Sequence, residues 1–153
     1  MNKKVEKKGQ KKFRHLKDEN PIFFLETFEY NMKTHYIVSS SSILYLGYME
    51  KCIFNQIANY KINSEVASYI LFKNTLYFGL KNGSIIYVSL EHAYNQIPYS
   101  NVESIDGKTI LGISVESDVD ANELKIFTIS ANSSFKVYSQ VENGFKVSVN
   151  LSI

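Results

Sequence analysis

An all-β fold assembled from a repeated hairpin unit is what this sequence predicts, on three observations. Its 44% hydrophobic and 14% aromatic content is that of a folding domain, with the aromatic mass in 11 Tyr and 10 Phe and only two Pro, a mix that favours strands. After Pro21, short apolar and β-branched runs alternate with breaks rich in Ser, Asn, Gly and Asp, which is the pattern of strands and turns. The third observation is that one phrase recurs. Leu76 to Ser89 (LYFGLKNGSIIYVS) and Ile126 to Ser139 (IFTISANSSFKVYS) both read as strand, small polar turn, strand.

The elements follow in order. Residues 1–20 read as a flexible basic tail: Lys3, Lys4, Lys7, Lys8, Lys11, Lys12, Arg14 and Lys17 stand against Glu6 alone through residue 17, a net charge of +7 without apolar periodicity. Residues 18–153 carry nine basic and fourteen acidic groups, a net of −5, so a mildly acidic β domain is expected over 21–153. Aligning Asn82-Gly83-Ser84-Ile85 with Asn132-Ser133-Ser134-Phe135 sets two repeats in register, and Ser40-Ser41-Ser42-Ile43 gives a weaker third. The turn-exit residues Ile43, Ile85 and Phe135 are 42 and 50 apart, with Glu116 to Glu123 read as an inserted acidic loop that lengthens the second interval. The expected units are 22–57, 66–100 and 102–153, with Ile22 to Tyr30 as a candidate further partial unit. Helical spacing is confined to Asn59 to Ser68 and Leu90 to Gln96, each enough for a turn or two.

Hairpins repeating every 40–45 residues are the signature of β-propeller blades. The segment Ser130-Ala-Asn-Ser-Ser-Phe-Lys-Val-Tyr-Ser139 resembles the end of a WD40 repeat, with Leu80 to Ser89 a fainter version. Ser104-Ile-Asp-Gly-Lys-Thr-Ile-Leu111 resembles the loop and strand that open a blade. The resemblance runs over about Tyr36 to Ile153 and implies a partial β-propeller of WD40-like antiparallel blades, with Val88 and Tyr138 in the family's Trp position and packed between blades. The chain lacks a Gly-His dipeptide, a Trp-Asp dipeptide and the Asp that supports the family's internal hydrogen-bond network. A β-sandwich or barrel and an unresolved α+β fold are the alternatives. Three units fall short of a closed propeller, so the expectation is a piece of a longer one, a ring completed by another subunit, or a smaller fold.

Chemistry is sparse. No Gly-x-Ser-x-Gly, phosphate loop or dinucleotide fingerprint appears, and Ser39 to Ser42 read as a turn. Glu116, Asp118, Asp120 and Glu123 lack calcium-loop spacing, while His15, His35 and His92 are scattered, so no metal, cofactor or catalytic residue is assigned. His35 reads as a polar strand edge and Cys52 as a buried strand residue. A single Cys and the absence of an apolar leader point to an intracellular protein, and no run of 18 apolar residues offers a membrane span. Three glycosylation sequons read as chance matches. Tyr45, Tyr48, Tyr77, Tyr87, Tyr94, Tyr99 and Tyr138 offer amphipathic contact area, some of it core.

The functional expectation is a non-catalytic interaction scaffold in an intracellular complex. Protein partners are expected, some completing the propeller, with RNA or a nuclear or nucleolar address assigned to the tail and ribosome assembly as a setting. The alternatives are an accessory RNA-binding subunit that presents nucleic acid to a catalytic partner, a small β-sandwich binding domain, and an enzyme with a dispersed site.

Overall fold

A computed structural model describes residues 21–120 and 122–153; the predicted tail, residues 1–20, lies outside the described residues. Three antiparallel sheets of four strands follow one another along the chain, each strand pairing with the next. Sheet 1 comprises β1 (Phe24–Tyr30), β2 (Lys33–Ser39), β3 (Ile43–Glu50) and β4 (Ile53–Lys61). Sheet 2 comprises β5 (Val66–Phe72), β6 (Thr75–Leu80), β7 (Ile85–Ser89) and β8 (Ser100–Val102); a one-turn helix α1 (Leu90–Tyr94) sits between its last two strands. Sheet 3 comprises β9 (Ile110–Asp118), β10 (Glu123–Ser130), β11 (Ser134–Val141) and β12 (Gly144–Ser152). Two compact units result: sheet 1 with residues 91–98, and sheets 2 and 3 together.

Turn chemistry sets the registers. Asn31-Met32, Lys51-Cys52 and Lys73-Asn74 close two-residue hairpins with positive φ at both positions, the turn whose twist matches that of paired strands. The turns between β6 and β7 and between β10 and β11 are equivalent. The Gly83 N–H donates to the Leu80 carbonyl at 3.1 Å and the Ser133 N–H to the Ser130 carbonyl at 3.0 Å, with Gly83 and Ser133 both at positive φ. In sheet 1 the corresponding turn is one residue shorter, because Ser40 N–H donates to the Ile43 carbonyl and Ser39 pairs with Leu44. Leu44, not Ile43, therefore holds the place of Ile85 and Phe135. Bulges recur as well: one beside Val66 in sheet 2 matches one beside Ser130 in sheet 3, and one after Leu46 matches one after Val137.

Sheets 2 and 3 bury a shared core. Tyr77, Ile85 and Val102 of sheet 2 meet Ile110, Val115, Ile126 and Tyr138 of sheet 3, with Tyr87 edge-on to Phe145 at 5.4 Å. Each such side chain removed from water contributes about 1.5–3 kcal/mol. The Ser68 hydroxyl donates to the Ile110 carbonyl at 2.9 Å and ties β5 to β9.

Four local expectations are corrected. Asn59 to Ser68 is not helical but spans the end of β4 and the start of β5, where alternating burial outweighs its short helical spacing. Ile22 to Tyr30 is no separate unit, since β1 pairs with β2 in sheet 1. The acidic segment is a hairpin whose arms continue β9 and β10, with Glu123 paired opposite Asp118 and Lys125 Nζ 3.6 Å from the Asp118 carboxylate. Cys52 is exposed in its tight turn, and the apolar residues after it begin β4.

Candidate protein-docking faces

Strand alternation gives sheet 1 an apolar face that is only partly covered. The cross-strand rows Leu25–Val38–Tyr45, Tyr36–Gly47 and Met49–Phe54 all point to that side. Val38, Tyr45 and Phe54 form its buried floor, while Ile22, Leu25 and Met49 stand 48%, 61% and 39% exposed. Between them lies a groove of about 290 Å³ lined by Ile22, Leu25, Tyr36, Val38, Met49 and Phe54. Gly47 makes room for the Phe54 ring: a Cβ there would stand 2.6 Å from Phe54 Cζ and 2.4 Å from the Asn55 carbonyl oxygen. Burial pushes the Tyr45 phenol up from its ordinary value, so it stays neutral at physiological pH.

The other side of sheet 1 is closed. Ile37, Leu44 and Leu46 are fully buried there, and so is His35, which belongs to the sheet interior and not to a polar edge. Its Nδ1 donates to the Lys33 carbonyl at 3.0 Å, which leaves Nε2 to accept from the Tyr94 hydroxyl at 2.7 Å. Phe28 stacks on the imidazole at 5.2 Å, with Tyr30, Tyr48 and Tyr94 completing an aromatic box. This bond, with that from the Tyr60 hydroxyl to the Ile97 carbonyl at 2.8 Å, fastens the 91–98 segment to sheet 1.

Sheet 3 presents a second apolar face. The rows Phe127–Val137–Val149 and Ile129–Phe135–Leu151 project from the side opposite Tyr138, and the Phe127 and Phe135 rings lie 6.2 Å apart. Ile129, Val149 and Leu151 are 37%, 39% and 55% exposed. Such a patch on an ordinary surface marks an interaction site.

An ion pair between a buried lysine and a solvent-accessible carboxylate braces sheet 3. Lys136 is only 2% exposed, and its ammonium lies 2.7 Å from the Asp106 carboxylate while donating to Ser134 Oγ at 2.8 Å and Ser130 Oγ at 3.3 Å. Partial burial pushes the Asp106 carboxyl up, but hydrogen bonds from Lys136 and the Lys108 N–H, with the ammonium charge, hold it below the usual carboxylate value. The loop before β9 is thereby pinned to sheet 3. A Lys between Phe135 and Val137 reads in sequence as an outward strand residue, so nothing local announced this pair.

The residues singled out from sequence are dispersed. Ile85, Val88 and Tyr138 are buried, Ile43 and Phe135 are half-buried, and the eight basic tail residues lie outside the described residues. Tyr45 and Tyr77 are core, Tyr48, Tyr87 and Tyr99 half-buried, and Tyr94 exposed at its rim. Among the described residues no group of three His, Cys, Asp or Glu side chains is placed to share a metal ion. No helix among them is long and apolar enough to cross a membrane. The groove went unnoticed in sequence, although the alternation in Phe24 to Phe28 and Tyr36 to Val38 carried it.

No family model matches the chain, and no curated protein matches it. Among solved structures it is similar to Sqt1 from Chaetomium thermophilum bound to the N-terminus of a ribosomal protein, with TM-score 0.62 and 10% identity over 86% of this chain and 34% of that one. It is also similar to BamB from Moraxella catarrhalis, with TM-score 0.53 and 12% identity over 87% of this chain and 39% of that one. The chain thus spans little more than a third of either protein. What these likenesses establish is the architecture: an all-β, partial β-propeller of three four-stranded antiparallel blades.

Proposed function

We propose that this chain is a WD40-like, non-catalytic scaffold subunit of an intracellular complex that binds protein through the outer faces of sheets 1 and 3. One observation carries the reading: two apolar sheet faces, a groove with Leu25 at 61% exposure and a patch with Leu151 at 55%, are left in water. Leaving such area hydrated forgoes about 25 cal/mol per Å², which a protein partner recovers by covering it. Both faces offer contact area and aromatic anchors, the currency of protein interfaces. The likeness to Sqt1, solved with a bound ribosomal-protein segment, supports a protein ligand and makes ribosome assembly the setting to try first. The net +7 of residues 1–17 supports a second contact, to RNA or to a nuclear import receptor, and hence a nuclear or nucleolar address.

Affinity purification of the full chain from its own cells separates these contacts. Leu25→Lys and Leu151→Lys each strip co-purifying proteins while leaving RNA, whereas removal of residues 1–20 strips RNA in a salt-dependent manner and leaves the proteins. Proteins that stay bound to both Lys variants and leave with the tail would overturn the reading in favour of an accessory RNA-binding subunit.

A further inference from the structure

The chain already contains one complete example of how its sheets stack, and the two partly exposed faces are the two halves of another. In register, Tyr77, Ile85 and Tyr87 of sheet 2 occupy the places of Phe127, Phe135 and Val137 of sheet 3. On the receiving side, Ile126, Tyr138 and Phe145 of sheet 3 occupy the places of Tyr36, Gly47 and Phe54 of sheet 1. The matched bulges after Leu46 and Val137 keep this correspondence through β4 and β12. The donor side that sheet 2 presents to sheet 3 thus exists again on sheet 3, with Ile129, Val149 and Leu151 exposed, and the receiving side exists again on sheet 1, with Leu25 and Met49 exposed.

Resting on the docking reading above, we infer that the outer face of sheet 3 docks on the groove face of sheet 1 in a second copy of this chain. Phe127 and Phe135 of one copy then fill the groove between Leu25 and Met49 of the other, above the buried floor that Phe54 helps to form.

Area favours using both faces at once. Four strands of about eight residues cover roughly 26 by 19 Å, or about 500 Å² per face. One such contact falls short of the roughly 800 Å² per partner of a stable interface, and two, about 1,000 Å² per copy, exceed it. The expected species is therefore one in which each copy gives sheet 3 and receives on sheet 1, and the smallest assembly that closes in this way is a two-fold dimer. A head-to-tail contact that fails to close would instead run on into a filament.

The test is sedimentation of the full chain at micromolar concentration, with circular dichroism on each sample to verify the β fold. Wild type sediments at twice the 17.6 kDa chain mass. Leu25→Lys and Leu151→Lys, both at exposed positions, each raise the dissociation constant about 100-fold or more by placing an ammonium in an apolar contact, and run as monomers. Mixing the two restores one of the two contacts, sheet 3 of the Leu25→Lys chain on sheet 1 of the Leu151→Lys chain, so the mixture associates more tightly than either variant alone and more weakly than wild type. A variant that loses its fold is replaced by Met49→Lys or Val149→Lys on the same face.

A monomeric wild type, a filament, or a mixture of folded variants that associates no more tightly than either variant alone overturns the inference. A monomer whose co-purifying proteins still leave with the same two substitutions removes the second copy as occupant and keeps the scaffold reading. A monomer that loses no protein through them sinks both.

Discussion

Asp106→Asn lowers stability by about 2–3 kcal/mol at neutral pH, because it leaves the buried Lys136 ammonium without its counter-charge. For a chain of this size that is a fall of several degrees in Tm, read by thermal or urea denaturation. Lys136→Met in the same chain recovers most of the loss, since removing both charges is far less costly than orphaning one. The pH dependence has a definite sign. Asp106 is held below its ordinary value of 3.8 in the folded protein, so its contribution is complete above that value. It is lost as pH falls through the lower folded value. The gap between wild type and Asp106→Asn therefore narrows in acid, and a gap that widened instead would contradict the pairing.

Gly47→Val costs about 3 kcal/mol or more. Its first added carbon would stand 2.4 Å from the Asn55 carbonyl oxygen as well as 2.6 Å from the Phe54 ring. The ring can swing away but the backbone oxygen cannot. Phe54→Ala added to Gly47→Val thus returns only part of the loss, and full recovery would mean that the ring alone was the obstacle. Because Phe54 floors the groove, folded Gly47→Ala also disturbs binding at sheet 1 while leaving sheet 3 competent.

Much of the architecture was legible in local grammar. Asn82-Gly83 and Asn132-Ser133 announce the same turn because only a few residues tolerate positive φ, and both appear at corresponding places in their sheets. Asp106-Gly107 likewise marks the turn before β9, where the Gly107 N–H donates to Ser104 Oγ and the Lys108 N–H to Asp106 Oδ1. What escaped was decided across the chain. The one-residue slip between Ile43 and Leu44 comes from a shorter turn with the same serine-rich look. Cys52 sits among apolar neighbours, yet the pairing of Glu50 with Ile53 puts it in a two-residue turn in water.

The candidate site was harder to read than the fold. Leu25, Tyr36 and Val38 alternate correctly for a strand, but alternation gives two faces without saying which one is covered. His35 and Lys136 look like surface residues until partners far along the chain, Tyr94 and Asp106, satisfy them in the interior. Long-range hydrogen bonds of that type leave no periodicity behind.

Photo-crosslinking in cells tests the central claim, that the outer faces of sheets 1 and 3 are where protein binds. A benzoyl-phenylalanine placed at Leu25 or at Leu151 is predicted to yield discrete protein adducts on irradiation. The same probe at Met32, fully exposed in its turn, is predicted to yield none. Adducts at Met32 with none at Leu25 and Leu151 would contradict the account, because the chain would then meet its partners through its turns and not through its sheets.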